Sequence, residues 1–72
     1  MQIAQLQLVQ LDFEEQEHYQ EENHMVTIYS KAEIEVVFND KKCISITFDD
    51  YPIMGVRSIQ GLEKFIKLVY SD

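Results

Sequence analysis

Residues 33–48 read EIEVVFNDKKCISITF, and the fold class turns on this stretch. Ile34, Val36 and Phe38 fall on one side of an alternating pattern, with Glu33, Glu35 and Val37 on the other. After a polar break, Ile44, Ile46 and Phe48 stand opposite Cys43, Ser45 and Thr47. A period of two is the mark of a strand with one face turned to a core, so residues 33–38 and 42–48 are two strands joined as an antiparallel hairpin. Every inward residue is even-numbered. A two-residue turn at Asn39 and Asp40 would therefore set inward positions against outward ones. The expected connection is a three-residue loop over 39–41, which aligns Val36 with Ile44 and Ile34 with Ile46.

On the N-terminal side, residues 25–30 continue the sheet, with Val26 and Ile28 on one face and Met25, Thr27 and Tyr29 on the other. Residues 2–13 scatter their apolar side chains around a helical circumference, so a strand suits them better, with Ala4, Leu6 and Leu8 on one side and Val9, Leu11 and Phe13 on the other. Helix is the alternative, since Leu and Gln are good helix formers. Residues 14–23 lose almost every apolar side chain and read as the polar end of a long hairpin. On the C-terminal side, residues 49–57 hold the one proline and a glycine and form the connector out of the sheet. Ser58 is an N-cap candidate, and Ile59, Leu62, Phe65, Ile66 and Val69 recur as one helical stripe. Glu63 and Lys67 stand four apart on its outer side. The expectation is a single α+β domain over residues 1–72: a four-stranded antiparallel sheet in the order β-β-β-β-α, with one C-terminal helix on one face. The apolar residues left on the other face, Val9, Leu11 and Phe13 with Met25, Tyr29 and Val37, suggest a homodimer interface.

Composition narrows the function classes. The 72 residues carry 13 acids against 6 Lys and Arg, a net charge of −7. With 46% hydrophobic residues the chain has enough apolar content to fold. One cysteine allows no internal disulfide, and the N-terminus lacks the basic and apolar regions of a secretory signal. A cytoplasmic setting is expected. Anionic lipid and nucleic acid both repel such a surface, so neither a membrane nor direct nucleic-acid binding is expected. A basic protein is the partner that the charge fits.

Six of the acids crowd into residues 12–22, DFEEQEHYQEE, with no Lys or Arg among them. His18 and His24 beside Glu17, Glu21 and Glu22 match no metal-ligand spacing, and a solvated polar segment is the simpler reading. Asp49 and Asp50, or Glu33 and Glu35, are carboxylate pairs, but hydrolytic chemistry needs a pocket that a chain this small has little volume to build. No enzyme activity, metal or cofactor is expected. Cys43 beside Lys41 and Lys42 reads as an ordinary strand cysteine. Residues two apart on a strand share a face at ~6.6 to 6.8 Å, so Asp12 with Glu14, Glu15 with Glu17, and Glu33 with Glu35 are expected to form carboxylate rows. A dimer of net charge −14 would match ~24 Å of duplex axis at one charge per ~1.7 Å.

In size, acidity and lack of a catalytic motif the chain resembles the small acidic early proteins of lytic bacteriophages that take over the host. Among these it is most similar to the DNA mimics that occupy HU-type nucleoid proteins. The resemblance implies an inhibitor working in the host bacterial cytoplasm, with Asp12, Glu14, Glu15, Glu17, Glu21, Glu22, Glu33, Glu35, Asp49 and Asp50 standing in for phosphates. Binding would be competitive with DNA and weakened by salt. Arg57, Lys64 and Lys67 depart from a wholly anionic mimic and imply charge segregated between faces. The other class left open is a structural or assembly adaptor acting through an apolar dimer surface or a sheet edge.

Overall fold

The computed structural model describes residues 3–70. Its elements run α1 (Gln5–Gln10), β1 (Glu14–Glu21), β2 (His24–Lys31), β3 (Ile34–Asn39), β4 (Lys42–Phe48), β5 (Tyr51–Pro52) and α2 (Ile59–Tyr70). All five strands are antiparallel neighbours in chain order, forming a meander. The fold is thus α+β with a C-terminal helix as expected, but the sheet has five strands rather than four and a helix precedes it.

The N-terminal segment is the largest correction. Residues expected as a strand form α1, while residue 2 lies outside the described residues. The segment stays short because it ends in a compact cap: Phe13 N–H donates to the Leu8 carbonyl at 3.0 Å and Asp12 N–H to the Val9 carbonyl at 3.1 Å, with Asp12 at φ +70°. This is the Schellman arrangement, in which a left-handed residue turns the chain back and two apolar side chains close the end. Leu8 and Phe13 are those side chains, and both are buried in the core. Lys31 Nζ donates to the Leu11 carbonyl at 2.7 Å, putting a cation at the helix C-terminus where the macrodipole favours it. At the other end Gln7 Oε1 accepts the Ala4 N–H at 3.0 Å.

The central hairpin also departs from its expected register. Asn39 pairs with Lys42 across a two-residue turn at Asp40 and Lys41, Val36 faces Ile46, and Ile34 faces Phe48. The parity conflict that argued for a three-residue loop is relieved by a bulge: Phe38 pairs with Cys43 but Val37 pairs with Ser45, so Ile44 is the extra residue. Consequently Cys43 and Ile46 both face the core while Ile44 is 50% exposed. Asp40 makes the tight turn possible by taking φ +56° and accepting the Met25 N–H on Oδ1 at 2.9 Å. The connector after β4 is itself partly sheet, because Asp49 and Asp50 both have positive φ, the requirement of a type I′ turn, and return the chain as β5.

Both helices cover one face. Ile3, Leu8, Phe13, Tyr29, Ile34, Val36, Phe38, Cys43, Ile46 and Leu62 form the core, with Ile59, Phe65 and Ile66 of the expected helical stripe half-buried against it. Phe48 meets Phe65 edge-to-face at 5.6 Å and Tyr70 at 6.2 Å, fixing α2 along β4. Ser58 caps α2 as expected, its Oγ accepting the Gly61 N–H at 3.1 Å. Phe13 and Tyr29, expected on an exposed second face, are core residues, and Leu11 packs half-buried against them. The dimer patch therefore does not exist in the form the sequence suggested. No helix among the described residues is long and apolar enough to cross a membrane.

Candidate partner-binding surface

The uncovered face of the sheet is defined by register. Val26, which lies outside the core cluster although buried, shares this face with Ile28 and Ser30 of β2 and with Glu35 and Val37 of β3. From β1 it receives Glu14 opposite Ser30, Glu17 opposite Ile28, Tyr19 opposite Val26 and Glu21 opposite His24. Three carboxylates of β1 thus stand on one face. They do so because of a bulge between Glu15 and Glu17, which spends Gln16 as the extra residue and flips the parity of residues 17–21.

That bulge also breaks two of the expected rows. Glu15 pairs with Tyr29 and so stands on the helix side, apart from Glu17. Asp12 lies in the α1–β1 turn rather than on a strand with Glu14. The third row fails for another reason: Glu33 sits in the β2–β3 turn and only Glu35 is in a strand. A different row replaces them. Glu14, Ser30 and Glu35 are consecutive register partners across the sheet, so the two acids are two strand spacings apart, ~9.6 Å.

The remaining candidates divide by sheet end. Glu33, Asp49 and Asp50 meet at one end, where the Asp49 N–H donates to the Glu33 carbonyl at 2.9 Å. Glu22 lies in the β1–β2 turn at the opposite end, with φ +55°. The ten acids consequently do not form one patch: Glu14, Glu17, Glu21 and Glu35 share the open face, Glu33, Asp49 and Asp50 share an end, and Asp12, Glu15 and Glu22 stand outside both.

Every residue of β1 is exposed. The ion pair found among the described residues is Lys67 with Glu63 at 3.5 Å on the outer side of α2, so none of the ten acids is charge-paired there. Glu33 is the one with a local tie, accepting the Tyr70 hydroxyl at 2.5 Å while its own N–H donates to that oxygen at 3.1 Å. The Tyr70 phenol is pushed above its ordinary range, first by burial and then by the hydrogen bond to Glu33. Tyr29 is raised too, by burial and then by the Glu15 charge, in keeping with Glu15 standing on the core side.

The two histidines do not converge. His18 stands on the helix side, its Nδ1 sharing a 2.8 Å hydrogen bond with Oγ1 of the buried Thr27, whereas His24 stands with Glu21 on the open face. No group of three metal-ligating side chains is found among the described residues. A surface depression of ≈ 660 Å³ is lined by Asn39, Asp40, Lys41, Lys42 and Ile44 and holds none of the ten candidate acids. Burial raises the Cys43 thiol above its ordinary range, the reverse of what its lysine neighbours suggest. No protein-family model, curated protein or solved structure matches the chain.

Proposed function

We propose that this protein is a non-enzymatic binder of a basic protein and acts as a DNA mimic against a DNA-binding protein of the nucleoid type. The observation that supports it is β1: an eight-residue edge strand, exposed throughout, that presents Glu14, Glu17 and Glu21 on the face that also holds Glu35. A disordered acidic loop would lose conformational entropy on binding, whereas carboxylates held on a paired strand are already spaced. Charge neutralisation in a basic groove then supplies affinity and speeds association, as phosphates do for DNA. The helix side carries Lys64 and Lys67, the latter paired with Glu63, so the carboxylate row of the open face is the part that would meet the partner. A single chain bears the −7 charge, and the mimicry does not depend on the expected homodimer.

Affinity capture from a bacterial lysate tests it, with the intact chain and the triple variant Glu14→Gln, Glu17→Gln, Glu21→Gln side by side. The intact chain should retain a basic DNA-binding protein that duplex DNA elutes, and the variant, folded to the same circular-dichroism spectrum, should retain little. A captured protein indifferent to duplex DNA would rule mimicry out.

A further inference from the structure

The sheet has two edges, and they differ. One is β5, two residues long and containing Pro52, which is how natural sheets blunt an edge. The other is β1, with eight residues, no proline and, among the described residues, no strand paired on its outer side.

The hairpin determines which backbone groups β1 leaves unpaired. Glu21 and His24 close the two-residue turn, and such a closing pair exchanges both backbone hydrogen bonds. Bonded and non-bonded pairs alternate along an antiparallel ladder, so Tyr19 with Val26 and Glu17 with Ile28 are bonded as well. The N–H and C=O of His18 and Gln20 must then point away from β2, into solvent. Met25 verifies the phase: it lies opposite Gln20, and its backbone bonds on the far side, its carbonyl accepting the Asp40 N–H at 2.6 Å and its N–H donating to Asp40 Oδ1 at 2.9 Å.

Charge favours a basic occupant, since Glu17 and Glu21 both project beside this edge. A second copy in the register that joins His18 to Gln20 would centre on Tyr19 and set Glu17 opposite Glu21 twice, and like charges directly opposite are destabilising. A strand with cations at those two places reverses the sign. We propose that the open edge of β1 is a strand-addition site for an extended segment of a basic protein. That segment bonds to the backbone of His18 and Gln20 and places a cation beside Glu17, an apolar side chain beside Tyr19 and a second cation beside Glu21. The inference rests on the basic-partner reading above and specifies how that partner is held.

A fluorescent synthetic peptide of about nine residues, Lys at two positions four apart with Val midway and Thr elsewhere, is the direct probe. Its binding by fluorescence anisotropy should be weakened roughly tenfold by N-methylation of the two amides that would face β1, since each methyl removes one backbone hydrogen bond to the strand. Moving the lysines to adjacent positions, at constant charge, should weaken it as well. Gln20→Pro should have the same effect from the protein side, because the N–H it removes is the outward one and the β1–β2 ladder keeps its bonds. Equal affinity for the parent and N-methylated peptides, or no binding of the parent at roughly 1 mM, overturns strand addition. The two readings fail separately. A DNA-displaceable protein captured equally well by the Gln20→Pro variant sinks the edge site and leaves mimicry standing, whereas peptide binding without any DNA-displaceable capture supports the edge and sinks mimicry.

Discussion

At the residue scale, the tight turns rest on side chains that are unusual for them. Glu22, Ala32, Asp40, Asp49 and Asp50 all take positive φ at the four strand-to-strand turns, and no glycine is used. Ala32 is the clearest misfit, because it has neither the freedom of glycine nor the side-chain hydrogen bonds that let Asn and Asp tolerate this conformation. Ala32→Gly should therefore raise unfolding free energy by about 0.5–1 kcal/mol in urea titration, the reverse of the usual effect of glycine. Tyr70 carries the second residue-level expectation. Its phenol holds its proton in the folded chain above the ordinary 10.0, so the contribution is complete below pH 10 and is lost as pH rises through the raised value. Tyr29 adds a loss of the same sign. Because Tyr70 is 38% exposed, Tyr70→Phe should cost no more than about 1 kcal/mol at neutral pH and flatten part of the alkaline decline, read as urea midpoints between pH 8 and pH 11.

At the element scale, legibility depends on the contrast between buried and exposed faces. Residues 25–30, 33–38 and 42–48 and the stripe from Ile59 onward each bury one side, so their periods of 2 and 3.6 stand out in the sequence and the elements form within a residue or two of where those periods lie. By contrast β1 is exposed on both sides and gives no alternation at all. In α1 the six-residue helix buries Leu8 fully while Leu6 is 69% and Val9 52% exposed, so its apolar residues do not form a stripe. The cap that ends it uses Asp12 at the position where glycine is the usual signal. Nor does any residue type announce a bulge, which is why alternation alone puts Ile44 in the core and misses the β3–β4 register. Truncation separates the two readings of the N-terminus. Leu8→Ala should cost about 2–5 kcal/mol and Leu6→Ala and Val9→Ala no more than about 0.5 kcal/mol, whereas a strand with Leu6 and Leu8 on one face would make the first two alike.

At the scale of the whole molecule, charge and fold are arranged together. One face of the sheet takes both helices and the entire core cluster, and the edge strand farthest from β4 and α2 carries four of the acids on exposed residues. The acidic composition is legible from the sequence, but its division into an open-face row, a turn cluster at one end and three separate carboxylates is not, because that division depends on the bulge at Gln16 and on which turns lie at which end. Since stability comes from the helix-covered face, changes on β1 should separate binding from folding. The triple Gln variant should unfold within about 0.5 kcal/mol of the parent while losing its partner.

Displacement of a fluorescent DNA duplex from a purified HU-type nucleoid protein, monitored by anisotropy at low and moderate salt, tests DNA mimicry most directly. The intact chain should release the duplex near one equivalent at low salt and less completely as salt rises, and the triple Gln variant should release far less. Undiminished duplex binding at low salt in the presence of excess intact chain would contradict it.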